Sequence, residues 1–202
     1  MFTEYEVQTF LEIPEITSAT EELRRQFIKS EAPYLEISTH DFLSLILMTP
    51  AVGIAYANGS ISLFEEISLN KMARKMSKGG YFWKSDPVAR AMKFFIKSFD
   101  KWEDRFMLAI KLCMNKSFDA EKVEANSEDK IPDFESFSKE LMGTPNILVR
   151  YLTAFFLYGE NEIVEVHSIS KVEYEKVLDI GKRLEIDHLH VFKSFLTTFK
   201  VK

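Results

Sequence analysis

The sequence predicts an all-α protein, a helical bundle of two similar halves related by a pseudo-twofold axis. Three observations support this fold class. The 202 residues include 7 glycines and 6 prolines, too few for the many turns of a β fold. Apolar residues, 46% of the chain, recur at helical spacing over long segments. One capped amphipathic segment also recurs late in the chain, and this internal repeat predicts the two halves.

We expect a single all-helical domain over 1–202, made of four parts. Their predicted bounds are about 1–37 for an N-terminal helical extension, 38–114 for the first half, 115–133 for a linker and 144–202 for the second half. The extension contains an amphipathic helix over 19–30. The linker is predicted because its segment is polar and acid-rich.

The first half begins with a helix that is apolar nearly all round and should therefore be central. Either Ser38 or Thr39 can cap this helix, which should run to about Ala57. Pro50 should kink it, because proline has no amide proton to donate and its ring clashes with the preceding turn.

Two segments, 61–76 and 169–184, align with each other without gaps. Each begins with an isoleucine and a capping box, in which a serine caps the helix and a glutamate three residues later reaches back to the serine. The apolar matches fall on one helical face and the basic matches on the other. The two capping boxes are Ser62 with Glu65 and Ser170 with Glu173.

The other helices are predicted from their start and stop residues. Asp86 should cap a long helix that reaches Met114 and is broken near Asp100. An apolar helix should start at Pro145 and precede the second copy of the repeat. Asp187 should cap the last helix.

The loop before the first capping box contains the second half of a calcium-binding pattern. Asn58 occupies its third acidic position, Gly59 its turn position and Glu65 its final, bidentate position. The first two ligand positions fall on Ile54 and Tyr56, whose side chains carry no carboxylate. We therefore predict that this loop does not bind calcium with the affinity of a signalling site.

The motifs around both capping boxes carry a family resemblance. In the first copy an apolar helix ends in Ala55, Tyr56, Ala57, Asn58 and Gly59, followed by Ile61 and then by Ser62 and Glu65. The second copy retains Ile169, Ser170 and Glu173. In these motifs the chain resembles the tellurite-resistance TerB-like family over about 41–76 and 147–199. The resemblance implies a helical bundle of two similar halves, a metal-linked stress response and assembly with partner proteins, without established catalysis.

The candidate metal ligands are the oxygen-bearing side chains near the two loops. They are Asn58, Glu65, Glu160, Glu162 and Glu173. The alternative is that both capping glutamates only accept hydrogen bonds at their own helix N-termini. We expect no tightly bound cofactor, and a weakly bound divalent cation is the alternative.

A basic and aromatic segment over 71–84 is the candidate surface for an anion or an acidic partner. Its cations are Lys71, Arg74, Lys75, Lys78 and Lys84. The alternative is a basic helix end that the helix dipole favours. The formal net charge of −5 gives no global attraction to nucleic acid, so we expect a protein partner rather than nucleic acid.

Three functions remain open from the sequence. The first is a non-enzymatic, TerB-like interaction protein, linked to metal or stress. The second is a polyanion-binding or nucleic-acid-binding module that uses 71–84. The third is a metal-dependent hydrolase that uses His40, Asp41 and the acidic loop residues.

The compartment is predicted from what the sequence lacks. Acidic residues stand where a signal peptide needs basic ones. No run reaches the roughly 18 apolar residues of a membrane helix. The single cysteine, Cys113, allows no internal disulfide. We therefore expect a cytoplasmic protein that does not enter the membrane.

Overall fold

A computed structural model describes residues 2–78, 86–125, 137, 141–142, 144–156 and 165–202. Its helices are α1 (Glu4–Phe10), α2 (Pro14–Glu31), α3 (Thr39–Leu47), α4 (Thr49–Ala55), α5 (Leu63–Met76), α6 (Pro87–Lys97), α7 (Phe99–Ser117), α8 (Ala120–Ala125), α9 (Asn146–Phe156), α10 (Lys171–Arg183) and α11 (His190–Leu196). Two short strands, β1 (His167–Ile169) and β2 (Phe199–Val201), pair in parallel. The all-α prediction is confirmed, and the small sheet is an addition to it.

The N-terminal extension packs into the main core. It contains α1, which opens with a capping box between Thr3 and Glu6, as well as the longer α2. Phe27 of α2 is fully buried, with its ring centroid 5.5 Å from that of Phe42 in α3 and 5.1 Å from that of Trp102 in α7. The extension therefore contributes large aromatic groups to the same core as the rest of the chain.

The apolar helix of the first half is interrupted where proline predicts it. Ser38 caps α3 by accepting a hydrogen bond from the backbone N–H of Asp41. The helix ends at Met48, and α4 begins at once with Pro50 in its first turn. Helix α4 is buried along most of its length and contacts α5, α7, α9 and α10. Helix α3 is also almost entirely buried and contacts α1, α2, α5, α6 and α7, so α3 and α4 together are central, as the sequence predicts for this segment.

Both predicted capping boxes are present and have nearly the same backbone geometry. Ser62 has φ −70° and ψ 159°, and Ser170 has φ −71° and ψ 160°. The backbone N–H of Ser62 donates to Glu65 Oε2 at 2.7 Å, and that of Ser170 donates to Glu173 Oε2 at 2.6 Å. Both capping boxes are therefore confirmed, but Ser38, the cap of α3 outside the repeat, has nearly the same torsion angles, so the internal repeat itself stays a prediction. The pseudo-twofold relation between complete halves stays a prediction.

Other boundaries differ from those predicted. The long helix is broken at Ser98 and then continues as α7 to Ser117, beyond the predicted end at Met114. Part of the predicted linker is thus helical, in the end of α7 and in α8, while 126–133 lies outside the described residues.

The prediction that Asp187 caps the last helix is wrong. Leu189 is the N-cap residue of α11, and no side chain makes a hydrogen bond to this helix start. Leu189 is fully buried. Helix α11 therefore begins at a buried apolar residue and has no polar side-chain cap.

The last two helices of the second half, α10 and α11, pack closely against each other. A Cβ atom on Gly181 of α10 would lie 2.5 Å from the ring of Phe192 in α11. Glycine at this position allows the ring to lie against the α10 backbone. No helix in the described part of the chain is both long and apolar enough to cross a bilayer.

Candidate functional site

The two capping glutamates line one cavity of about 310 Å³, which we call the shared cavity. Helices α4, α5, α9 and α10 and both strands surround it. The lining residues are Ala51, Ile54, Phe64, Glu65, Phe155, Phe156, His167, Ser168, Ile169, Glu173, Val177 and Phe199. The shared cavity therefore lies between the N-terminal ends of the two helices that begin with these capping boxes, α5 and α10.

Apolar groups form most of the wall of the shared cavity. Phe155 and Phe156 come from α9, and their ring centroids lie 6.0 Å apart with the rings nearly perpendicular. Phe199 of β2 is held by Phe195, with centroids 5.1 Å apart. Aromatic pairs of this geometry are favourable and restrict the motion of the rings. The wall is therefore a packed, pre-formed surface.

Glu65 and Glu173 add negative charge to this apolar wall. Each is the third residue of its helix, and each uses Oε2 to accept the hydrogen bond from its serine cap. A carboxylate at this position also interacts favourably with the helix dipole. Neither carboxylate forms a salt bridge among the described residues. Both charges are thus available to a cationic group that enters the shared cavity.

The small sheet closes one side of the shared cavity. The His167 backbone N–H donates to the carbonyl oxygen of Thr198 at 2.8 Å, and the ladder then pairs Ile169 with Val201. The His167 ring lies 5.9 Å from the Phe199 ring. The sheet therefore places a histidine, a serine and an isoleucine along the cavity wall. The sequence did not predict this feature, because the strands are too short to be recognised.

Exposed apolar side chains, which we call the apolar rim, belong to or directly precede the helices and strands that line the shared cavity. Phe64 is 77% exposed and itself lines the cavity, and Leu63 beside it is 74% exposed. Val166 precedes His167 and Val172 precedes Glu173, so each adjoins a lining residue. The apolar rim consists of Leu63, Phe64, Ile67, Val166, Val172 and Val201. Large exposed apolar groups around a concave site are typical of interaction surfaces.

The candidate metal ligands are only partly brought together. Glu65 and Glu173 share the cavity, but Asn58 is exposed in the turn after α4 and is not among the lining residues. Glu160 and Glu162 lie outside the described residues. Within the described ranges, no three His, Cys, Asp or Glu side chains are grouped so that they could hold a metal ion.

In the turn before α5, the backbone oxygens at the first two ligand positions of the calcium-binding pattern already accept hydrogen bonds. The carbonyl oxygen of Ile54 accepts from the N–H of Ala57 at 3.1 Å, and that of Tyr56 accepts from the N–H of Gly59 at 2.8 Å. Gly59 adopts φ +82°, a backbone conformation that favours glycine. This geometry makes a compact turn between two helices in place of an open ion-binding loop.

The His40–Asp41 pair of the hydrolase hypothesis is buried and makes structural contacts. The side chains are 2% and 1% exposed. His40 Nε2 lies 2.9 Å from the carbonyl oxygen of Glu4, and Asp41 Oδ1 accepts from the backbone N–H of Lys78 at 3.1 Å. The pair thus joins α1 and the end of α5 to α3.

The basic residues of the predicted 71–84 surface lie along the exposed side of α5. Lys71, Arg74, Lys75 and Lys78 are all exposed, and Lys84 lies outside the described residues. Arg74 Nε is 3.7 Å from Asp86 Oδ2 at the start of α6.

Helix α6 carries further exposed cations that sequence reasoning missed: Arg90, Lys93 and Lys97. Their spacing of three and four positions could have revealed them.

Comparisons with protein-family models, with curated proteins and with solved structures found no match to this chain. The function is therefore inferred from the geometry of the site.

Proposed function

We propose that the protein is a non-enzymatic helical interaction protein that binds a segment of a partner protein at the shared cavity. The observation that carries this proposal is the placement of two carboxylates, one from each copy of the repeat, in an apolar cavity with an exposed apolar rim. Such a surface combines the apolar contacts that give binding energy with charges that give specificity.

The cavity also indicates what the partner segment carries. Its volume of about 310 Å³ is at the lower end of the roughly 300–1,000 Å³ range of ligand sites, so it suits one or two side chains. Phe155, Phe156 and Phe199 favour an aliphatic or aromatic group. Glu65 and Glu173 favour a neighbouring Lys or Arg, with which a carboxylate forms a charge-assisted hydrogen bond.

A TerB-like architecture is part of this proposal. It is supported by the order of an apolar helix, an isoleucine and a capping box in both copies. The meeting of the two boxes at one cavity suits a fold in which the halves act together.

The experiment is a selection of peptides from a random display library on the immobilised, full-length protein. We expect the enriched peptides to share an aliphatic or aromatic residue next to Lys or Arg. Binding should weaken when Glu65 and Glu173 are both changed to Gln. Glutamine retains the capping hydrogen bonds because it is the other residue that forms capping boxes, so this variant removes charge with little change in structure.

The control is a variant with the same loss of charge away from the cavity, Glu66→Gln with Glu175→Gln. Both residues lie on the capped helices, α5 and α10, outside the cavity lining. Equal binding by the two double variants would contradict the proposal. The absence of any enriched sequence class would do the same.

A further inference from the structure

Helices α5 and α6 carry the same pattern of buried and charged positions. Apolar residues at matching positions are buried: Leu69, Met72, Ala73 and Met76 in α5, and Val88, Ala91, Met92 and Phe95 in α6. Cations at matching positions are exposed: Lys71, Arg74 and Lys78 in and just after α5, and Arg90, Lys93 and Lys97 in α6. At about 100° per residue, the helical cations Lys71 and Arg74 of α5 and all three cations of α6 lie opposite the buried faces of their helices, and Lys78 follows the end of α5.

The two rows of cations lie on neighbouring helices. Helices α5 and α6 contact each other, and both also contact α3. The cations lie on the exposed sides of α5 and α6. We call this surface the basic face; its described members are Lys71, Arg74, Lys75, Lys78, Arg90, Lys93 and Lys97.

The basic face is a strong local departure from the charge of the chain. Residues 71–97 contain eight Lys and Arg residues and a single acid, Asp86, which gives a formal charge of +7 in a chain of net charge −5. Arg74 has Asp86 as an ion-pair partner. The other six cations of the basic face form no salt bridge among the described residues. Their charge is therefore directed to solvent.

We propose that the basic face binds the phosphate backbone of a nucleic acid duplex without sequence specificity. Rows of Lys and Arg on adjacent helices complement the closely spaced phosphates of a duplex, which carries one negative charge per about 1.7 Å of its axis. Interfaces with nucleic acid are also more polar and more positive than those between proteins.

The described residues of 71–97 expose little apolar surface, which favours a duplex over other polyanions. Phe94, at 36% exposed, is the one exposed large apolar side chain among them, and the exposed Leu63, Phe64 and Ile67 lie in the first half of α5, before its cations. A membrane-binding helix needs several apolar residues that insert between lipids. Single-stranded nucleic acid binders use exposed aromatic platforms, and protein interfaces use an apolar centre.

The test measures binding of the full-length protein to a short, mixed-sequence duplex DNA by fluorescence anisotropy over a series of salt concentrations. The test variant reverses three cations: Lys75→Glu, Lys93→Glu and Lys97→Glu. We expect affinity to fall at least tenfold at low salt. The slope of log K against log salt should fall in magnitude by about three, because each lost phosphate contact removes about one counterion from the exchange.

The matched control reverses three exposed lysines on other helices, Lys29→Glu, Lys182→Glu and Lys193→Glu, with the same change in net charge. Its affinity should stay within about threefold of the wild type. A second test variant with Gln at positions 75, 93 and 97 avoids new repulsions, should a reversal impair folding, and should also lose affinity.

Three results would overturn the proposal. The first is no binding of duplex by the wild type at low salt. The second is an equal loss of affinity in the test and control variants. The third is tighter binding to a single strand of the same length, to phosphatidylserine vesicles or to polyglutamate than to the duplex.

Discussion

Glu65 and Glu173 line the same cavity, although they belong to opposite halves of the chain. Each is the third residue of a helix with a serine cap, and the two hydrogen bonds from those caps are 2.7 and 2.6 Å long. The structure therefore brings the same local motif to one site from two directions. Glu65 and Glu173 therefore occupy equivalent positions in two different capped helices.

The 58–65 loop should not bind calcium at micromolar concentration. It offers one carboxylate, Glu65, together with the neutral amide of Asn58, whereas sensor sites gather several charged oxygens. The carbonyl oxygens of Ile54 and Tyr56 already accept backbone hydrogen bonds. Calorimetric titration with calcium at near-physiological salt should give no saturable heat. Saturable micromolar binding that Glu65→Gln abolishes would contradict this prediction.

Gly181→Ala should destabilise the protein by about 1–3 kcal/mol, the usual range for overpacking in a core. The new Cβ would lie 2.5 Å from the Phe192 ring, so α10 or α11 must shift. Gly53→Ala is the control, because its nearest neighbours are 3.2 Å away and one is the flexible end of Lys176. Urea unfolding measures both changes. A Gly181→Ala protein as stable as Gly53→Ala would show that the close approach to Phe192 is not a constraint.

Glu103→Gln should lower the free energy of unfolding by about 1–3 kcal/mol, because it removes the least exposed anion of Lys176 and Arg183 and leaves them only the more exposed Asp104 and Asp179. Glu103 Oε1 in α7 lies 2.7 Å from Lys176 Nζ and 2.8 Å from Arg183 Nη1 in α10, and its side chain is 14% exposed. The control is Glu175→Gln, which breaks an exposed pair with Lys171. An exposed pair of this kind contributes little, so the control should have a much smaller effect on stability. Thermal unfolding compares the two. Equal effects would mean that the α7–α10 ion pairs contribute no more than surface charges.

Cys113 should be unreactive toward thiol reagents in the native protein. Burial raises the pKa of its thiol to about 12, so the reactive thiolate is scarce near pH 8. An unfolded thiol ionises near pH 8.5 to 9, so unfolding releases a proton above that pH, and this group's contribution to stability falls as pH rises toward 12. Labelling should follow urea unfolding. Labelling of the native protein at the rate of free cysteine would contradict the buried position.

Local sequence chemistry predicts the helices and caps well. Ser62, Glu65, Ser170 and Glu173 form the predicted capping boxes, because a cap depends on residues three positions apart. Pro50 likewise interrupts the apolar helix, since its effect is confined to its own turn. The shared cavity depends on packing between distant segments, which the sequence pattern specifies only as apolar faces.

The features that the sequence did not predict likewise depend on packing between segments that are distant in the chain. The β1–β2 sheet joins segments that α10 and α11 separate in the chain. Its strands are too short for a period-two pattern to identify. The N-cap of α11 is the buried Leu189 and not Asp187, and burial of this leucine depends on tertiary packing that a local cap pattern does not include. The basic face was not predicted as a whole because the contact between α5 and α6, which brings two separate rows of cations together, is not evident from the sequence.

The shared cavity is tested most directly by isothermal titration of a selected basic and apolar peptide into four proteins. These are the wild type, Glu65→Gln, Glu173→Gln and the double variant, each checked for an unchanged unfolding temperature. We predict that each single change weakens binding about tenfold, the loss of one charge-assisted contact of about 1.4 kcal/mol. The double variant should bind more weakly than either single variant. Wild-type affinity in Glu173→Gln would contradict the account, because the second copy of the repeat would then contribute nothing to the site.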